Sequence, residues 1–134
     1  MITDKIQIIE RRRIEDHRGW FLKVIDGSEL FLPKSTGEIY ITVATPNQSK
    51  GGHYHPLANE WFTLIRGECL LELVDVETEE YYSIELTDKV PRTVFVPNNI
   101  AHNFKNTADS EFILLAYSDV LYDSSDTIMY QFFK

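Results

Sequence analysis

Four side chains able to hold a divalent metal lie within one stretch of this chain: His53, His55, Glu60 and His102. Three imidazoles and one carboxylate suit a catalytic divalent ion, with zinc the expected one. A His-x-His pair alone is a weak signal, because two histidines on one strand face are often polar surface or hydrogen-bonded core. The combination carries the reading. His53-Tyr54-His55 is followed by Glu60 and Gly67, then by Pro97, His102 and Asn106. Clustered imidazoles and buried carboxylates persist mostly when paired or metal-bound.

The elements that bring these residues together read as strands. Ala is scarce, while Val, Ile, Thr, Tyr and Phe are plentiful, a composition that fits a pleated, half-buried surface. Strands are expected at residues 6–8, 20–25, 38–44, 60–66, 69–76, 81–86, 93–96, 102–105 and 111–118. Many short strands at fairly even spacing indicate an all-β sandwich or barrel. Asp16-His17-Arg18-Gly19 reads as a turn, and Gly67-Glu68 as the tight turn of a hairpin. Only Ser28–Leu32 and Ser124–Tyr130 are expected to hold a helical turn. Residues two apart on a strand face the same side, so His53 and His55 should point into one space. Glu60 should meet them across a hairpin-like return. His102 follows the turn Pro97-Asn98-Asn99, so three strands would supply four ligands.

Composition narrows the partners. The length of 134 residues fits one domain with one core. A net charge of −8 argues against a nucleic-acid duplex or an anionic membrane. It leaves room for an anionic small ligand, since a few local cations can hold a diphosphate. Cys69 is the single cysteine, so no internal disulfide can form. The N-terminal residues do not read as a signal peptide, and no apolar run reaches membrane-spanning length. The expected address is a reducing cytoplasm.

The stretch from His53 to Gly67 resembles the first motif of the cupin superfamily, and Pro97 to Asn106 resembles the second. The second motif usually carries glycine where Asn99 stands; asparagine also tolerates the left-handed conformation of such a turn. The resemblance implies a single cupin jelly-roll β-barrel over residues 1–134, with His53, His55, Glu60 and His102 inside it.

The flanks resemble one branch of that superfamily. Asp16-His17-Arg18-Gly19-Trp20-Phe21 is similar to a stretch of nucleotide-sugar cupins, the 3,5-epimerases and 3,4-ketoisomerases of dTDP-linked 4-keto sugars. The ending Ala116-Tyr117-Ser118-Asp119, with Tyr122-Asp123-Ser124-Ser125-Asp126, looks like the ketoisomerase tail. The block from Thr45 to Glu60 looks most like the metal-bearing C-terminal cupin of capsular polysaccharide enzymes. The epimerases carry lysine at the Glu60 position and lack the second motif histidine. The ketoisomerases have glutamine there and need no metal. All four ligands are kept here.

This likeness implies an isomerase or epimerase of a nucleotide-linked 4-keto-6-deoxyhexose in surface polysaccharide synthesis. Arg18 would contact the diphosphate, since a guanidinium offers paired, permanently charged donors. Lys50 could reach a phosphate or simply face solvent. Tyr40 could face the barrel as a catalytic residue or be a satisfied core aromatic. Arg11-Arg12-Arg13 reads as a solvated strand edge, and His17 as a turn residue. Trp61, Phe62, Phe95 and Phe104 read as core or subunit interface. Two chemistries stay open. Either the histidines hold a metal, or no metal is bound and His53 and His55 act as acid and base. A metal-dependent oxygenase and a sugar-binding cupin without catalysis are the alternatives. A homodimer is expected, with Ile2–Arg13 as an exchanged edge.

Overall fold

Short runs of β-branched and aromatic residues build twelve strands among the described residues, which are 1–17, 19–33 and 37–132 of a computed structural model. They are β1 (Gln7–Glu10), β2 (Arg13–Asp16), β3 (Gly19–Leu22), β4 (Glu38–Ala44), β5 (Ser49–Tyr54), β6 (Glu60–Arg66), β7 (Glu68–Asp75), β8 (Tyr81–Thr87), β9 (Arg92–Val96), β10 (Ile100–Asn106), β11 (Phe112–Ser118) and β12 (Ile128–Met129). One five-stranded sheet runs β1-β9-β6-β11-β4, and a second runs β12-β5-β10-β7-β8. The β2–β3 hairpin pairs only with itself. The two antiparallel sheets face one another as a jelly-roll barrel, the expected all-β class. No described helix is long and apolar enough to cross a membrane.

Alternation decides what enters the barrel. From β6, Phe62 and Leu64 point inward and join Leu71, Leu73, Phe104, Phe112 and Leu114 in one core. Fully burying one such side chain stabilises the fold by about 1.5–3 kcal/mol. Trp61 points the other way and packs with Phe95 and Tyr117 beneath Ile25 and Leu32. The four aromatics expected in a core or interface are all buried.

The strand partners differ from the expected ones. Gly67 does not close a hairpin: β6 pairs with β9 and β11, whereas β7 pairs with β8 and β10. Gly67 instead turns a corner between the sheets. Its φ is +99°, and a Cβ there would sit 3.0 Å from Phe112, so the position suits glycine. For the same reason Glu60 meets the histidines across the barrel interior, because β5 and β6 belong to opposite sheets.

The strand expected to reach Ile25 stops at Leu22. Beyond it the Val24 carbonyl accepts from the Arg11 guanidinium and from Thr93. The side chain of Arg11 is buried and ion-paired to Glu29, so it clamps this excursion onto the first sheet rather than lying on a solvated edge. Glu29 also accepts from the Asp26 and Gly27 amides, and no helical turn forms at 28–32. The tail keeps one 3-10 turn, Ser124–Asp126, before β12 pairs with β5.

Gly51 positions the site. It faces β10 where the register shifts between His102 and Asn103. Its φ is +98°, and an added Cβ would lie 2.7 Å from the His102 carbonyl oxygen. Gly51→Ala should cost about 1–3 kcal/mol through the left-handed backbone alone. Urea denaturation reads that loss; an unchanged midpoint and slope would refute it.

Candidate metal centre

Three imidazoles converge inside the barrel. β5 supplies His53, the residue just past its end supplies His55, and β10 supplies His102. One ring nitrogen from each lies within 4.8 Å of the others. His102 pairs with His53 across the β10–β5 ladder, which fixes their separation through the backbone. Glu60, at the start of β6, closes the set from the other sheet. Its Oε1 is 3.0 Å from His55 Nε2 and 3.6 Å from His102 Nε2. The strand argument thus brings all four expected ligands together, although His55 has left the sheet.

Hydrogen bonding fixes which ring atoms face inward. His55 Nδ1 lies 2.9 Å from the Asp126 carbonyl oxygen, and His102 Nδ1 lies 3.1 Å from the Ile100 carbonyl oxygen. A carbonyl can only accept, so both Nδ1 atoms carry hydrogen and, in the neutral rings, both Nε2 atoms present lone pairs. Those lone pairs face Glu60 Oε1, a buried acceptor that finds no hydrogen-bond partner. Acceptors so close together need a positive charge among them. Bonds of about 2.0–2.2 Å to one tetrahedral ion would put its ligand atoms roughly 3.3 Å apart, close to the two distances from Glu60 Oε1, while the imidazole nitrogens lie within 4.8 Å of one another. The donor set therefore fits a divalent metal; a proton on His55 is the other way to satisfy it.

The electrostatics divide the three imidazoles: His53 and His102 are held neutral, while His55 is favoured as the protonated partner of Glu60. Complete burial, with His53 and His55 alongside, holds His102 down at about 4. His53 is lowered by burial and by His55. Burial also pulls His55 down, but the Glu60 carboxylate beside it outweighs this and raises it, favouring a proton on Nε2 when no metal is bound. Glu60 is lowered: burial opposes its charge, and His55 and His102 overcome that.

Tyr40, on β4, does face the barrel. Its hydroxyl donates to Glu60 Oε2 at 2.8 Å. Burial first and Glu60 second push its ionisation far above the ordinary 10.0. The resting tyrosine is therefore a proton donor, not a phenolate base.

A cavity of about 280 Å³ opens over this cluster, lined in part by Tyr40, His53, His55, Glu60, Tyr122 and Asp126. A second opening, of about 190 Å³, shares Tyr40 and His53 and is lined by Lys50 and His102. Among the described residues lining the two, Lys50 is the one Lys or Arg side chain. Arg18 lies outside the described residues. The contribution of Tyr122 and Asp126 was not assigned from sequence. Their tail resemblance was visible, but nothing local shows that the chain end folds back over the barrel mouth.

Comparison with known proteins places these features in context. A family model described as the polysaccharide biosynthesis C-terminal domain matches residues 14–130. A curated relative, UDP-2-acetamido-2,6-beta-L-arabino-hexul-4-ose reductase of Pseudomonas aeruginosa, is 21% identical over 115 residues. The match covers 86% of this chain but only 29% of that protein. Among solved structures, a dTDP sugar isomerase from Desulfovibrio desulfuricans superposes with a TM-score of 0.86 at 19% identity, covering 94% of this chain and 83% of the other. A dTDP-6-deoxy-D-glucose-3,5-epimerase from Legionella pneumophila, in complex with dTDP-4-keto-L-rhamnose, gives 0.86 at 16% identity, covering 98% and 76%. At these identities the structural likeness shows a shared fold.

Proposed function

Because this chain belongs to the polysaccharide biosynthesis C-terminal domain family, we propose that it isomerises or epimerises a nucleotide-linked 4-keto-6-deoxyhexose. The observation that carries this reading is the set of His53, His55, Glu60 and Tyr40 lining a cavity sized for a sugar ring, with His102 completing the imidazole cluster. The resemblance of Asp16–Phe21 and of the tail to nucleotide-sugar cupins supplies the substrate class.

The 4-ketone acidifies the hydrogen at C3. Its transfer to a basic side chain of the cavity lining leaves an enolate that needs a positive or hydrogen-bonding group at the ketone oxygen. His53, His55, Glu60 and His102 would hold a divalent ion, which supplies Lewis-acid polarisation of a carbonyl oxygen. Tyr40 would hand on its proton, with Glu60 holding the hydroxyl in place. Returning a proton to C3 from the opposite face gives the epimer. Placing it on C4, with loss of the O3 proton and gain of one at O4, moves the ketone to C3. Lys50, at the second opening, would meet the diphosphate.

The zinc-loaded protein in deuterium oxide, given dTDP- or UDP-linked 4-keto-6-deoxyhexoses, should place solvent deuterium at C3 of an epimer or at C4 of a 3-keto product. Proton NMR follows it and also reads which carbon carries the ketone. No turnover of any such sugar would sink the proposal; iron content with oxygen consumption would favour an oxygenase.

We also propose a homodimer, with a contact different from the expected one. Ile2 and Ile6 are buried in this chain's own core, and β1 pairs with its own β9. The free apolar surface lies elsewhere. Edge strand β4 exposes Ile39, Ile41 and Val43, and the β2–β3 hairpin exposes Ile14, Trp20 and Phe21. Such an edge and patch invite a second copy. Sedimentation should show a dimer, and Ile41→Asp should shift it toward monomer; a monomeric wild type would end this reading.

A further inference from the structure

Asp126 makes two connections that nothing in the proposed chemistry requires, and both converge on the His55 turn. The residue ends the tail's 3-10 turn and is buried. Its carboxylate accepts from the Leu57 amide at 2.8 Å and from the Ala58 amide at 3.1 Å. Its main-chain carbonyl accepts the Nδ1 hydrogen of His55 at 2.9 Å. One residue thus pins the segment leaving His55 and orients its ring. The tail is held in turn by β12 against β5 and by the Tyr130 amide on the Gly52 carbonyl.

We infer that Asp126 is a positioning residue, which staples the 55–58 turn to the C-terminal tail and so presents His55 Nε2 to the centre. This deepens the metal reading and rests on it for its affinity test. The physical argument is local. Without a fixed acceptor at Nδ1, an imidazole can rotate or change tautomer, and its inward nitrogen then carries the hydrogen. A carboxylate can accept from two successive amides with charge assistance. The amide of an asparagine offers one acceptor oxygen and turns a donor toward the other N–H.

Asp126→Asn is the test, with Asp119→Asn beside it. Asp119 accepts from the Asn59 amide and side chain, so it ties down the same loop without touching a histidine. Zinc affinity is read by competition with a chromophoric chelator. Asp126→Asn should weaken zinc binding about 10–100-fold, the range for partners of ligating histidines, while Asp119→Asn should hold it within about twofold, well below that range. In metal-free protein, a slowly exchanging His55 Nδ1–H resonance should be present in the wild type and in Asp119→Asn, and lost in Asp126→Asn. Unchanged zinc affinity in Asp126→Asn, or equal weakening in both variants, overturns the proposal. Failure of the wild type to bind zinc would overturn the metal reading alone. The ring-proton signal would still decide the role of Asp126: its absence from the wild type, or its survival in Asp126→Asn, would refute that role.

Discussion

His102→Ala is expected to raise the zinc dissociation constant more than a hundredfold and to reduce solvent deuterium incorporation into the sugar to background. Structural zinc binding is worth about 10–16 kcal/mol, so an even division among four ligands puts about 3 kcal/mol on each, a factor of over a hundred. His102 has nowhere else to send its ring. It is 3% exposed, its Nδ1 is committed to the Ile100 carbonyl, and Phe62 and Phe104 pack around it. The alanine variant will also lose some packing, so wild-type protein stripped with a chelator is the needed companion. If stripped wild type is inactive and zinc restores it, while the variant stays inactive at matched zinc, the four residues act as ligands. Full activity in stripped wild type would instead make His53 and His55 the acid and base, with a proton on His55 balancing Glu60.

The four clustered side chains were readable because their signal is local. His53 and His55 are two apart, and Asn99 adopts the left-handed turn, φ +63°, that places β10 and hence His102. The aromatic core was readable for the same reason: strand composition fixes burial before pairing is known. Pairing itself was not readable. Gly67 has one turn chemistry whether it closes a hairpin or turns a corner between sheets, and only contact with Phe112 on distant β11 separates the two. Arg11 shows the same limit for charge. In a run of three arginines it looks solvated, yet Glu29 and the Val24 carbonyl from the excursion after β3, and Thr93 from β9, collect around it. The tail over the barrel mouth depends on the β12–β5 ladder, a two-residue pairing with no pattern of its own.

The metal-free protein should lose about 3 kcal/mol of stability as pH falls from 6.5 to 4. His102 titrates at about 4 when folded and near its ordinary 6.5 when unfolded, a difference that corresponds to about 3 kcal/mol. Between those values the unfolded chain binds more protons than the native one, so stability rises with pH. The contribution is fully present above 6.5 and lost as pH falls through 4. His53 is lowered too and acts with the same sign. Glu60 adds a loss at lower pH, since its lowered pKa stabilises the fold only above its ordinary 4.5. His55 opposes them: its raised pKa contributes below 6.5 and fades as pH rises through the folded value. Burial decides the balance, because His102 is the most enclosed of the three imidazoles. Urea denaturation in chelator at pH 6.5 and pH 4 measures the slope, and His102→Leu should flatten it by placing an apolar group among Phe62 and Phe104. An equal slope in that variant would assign the acid sensitivity to the carboxylates instead. With zinc bound the loss should be steeper still, since protons and metal compete for the same Nε2 lone pairs.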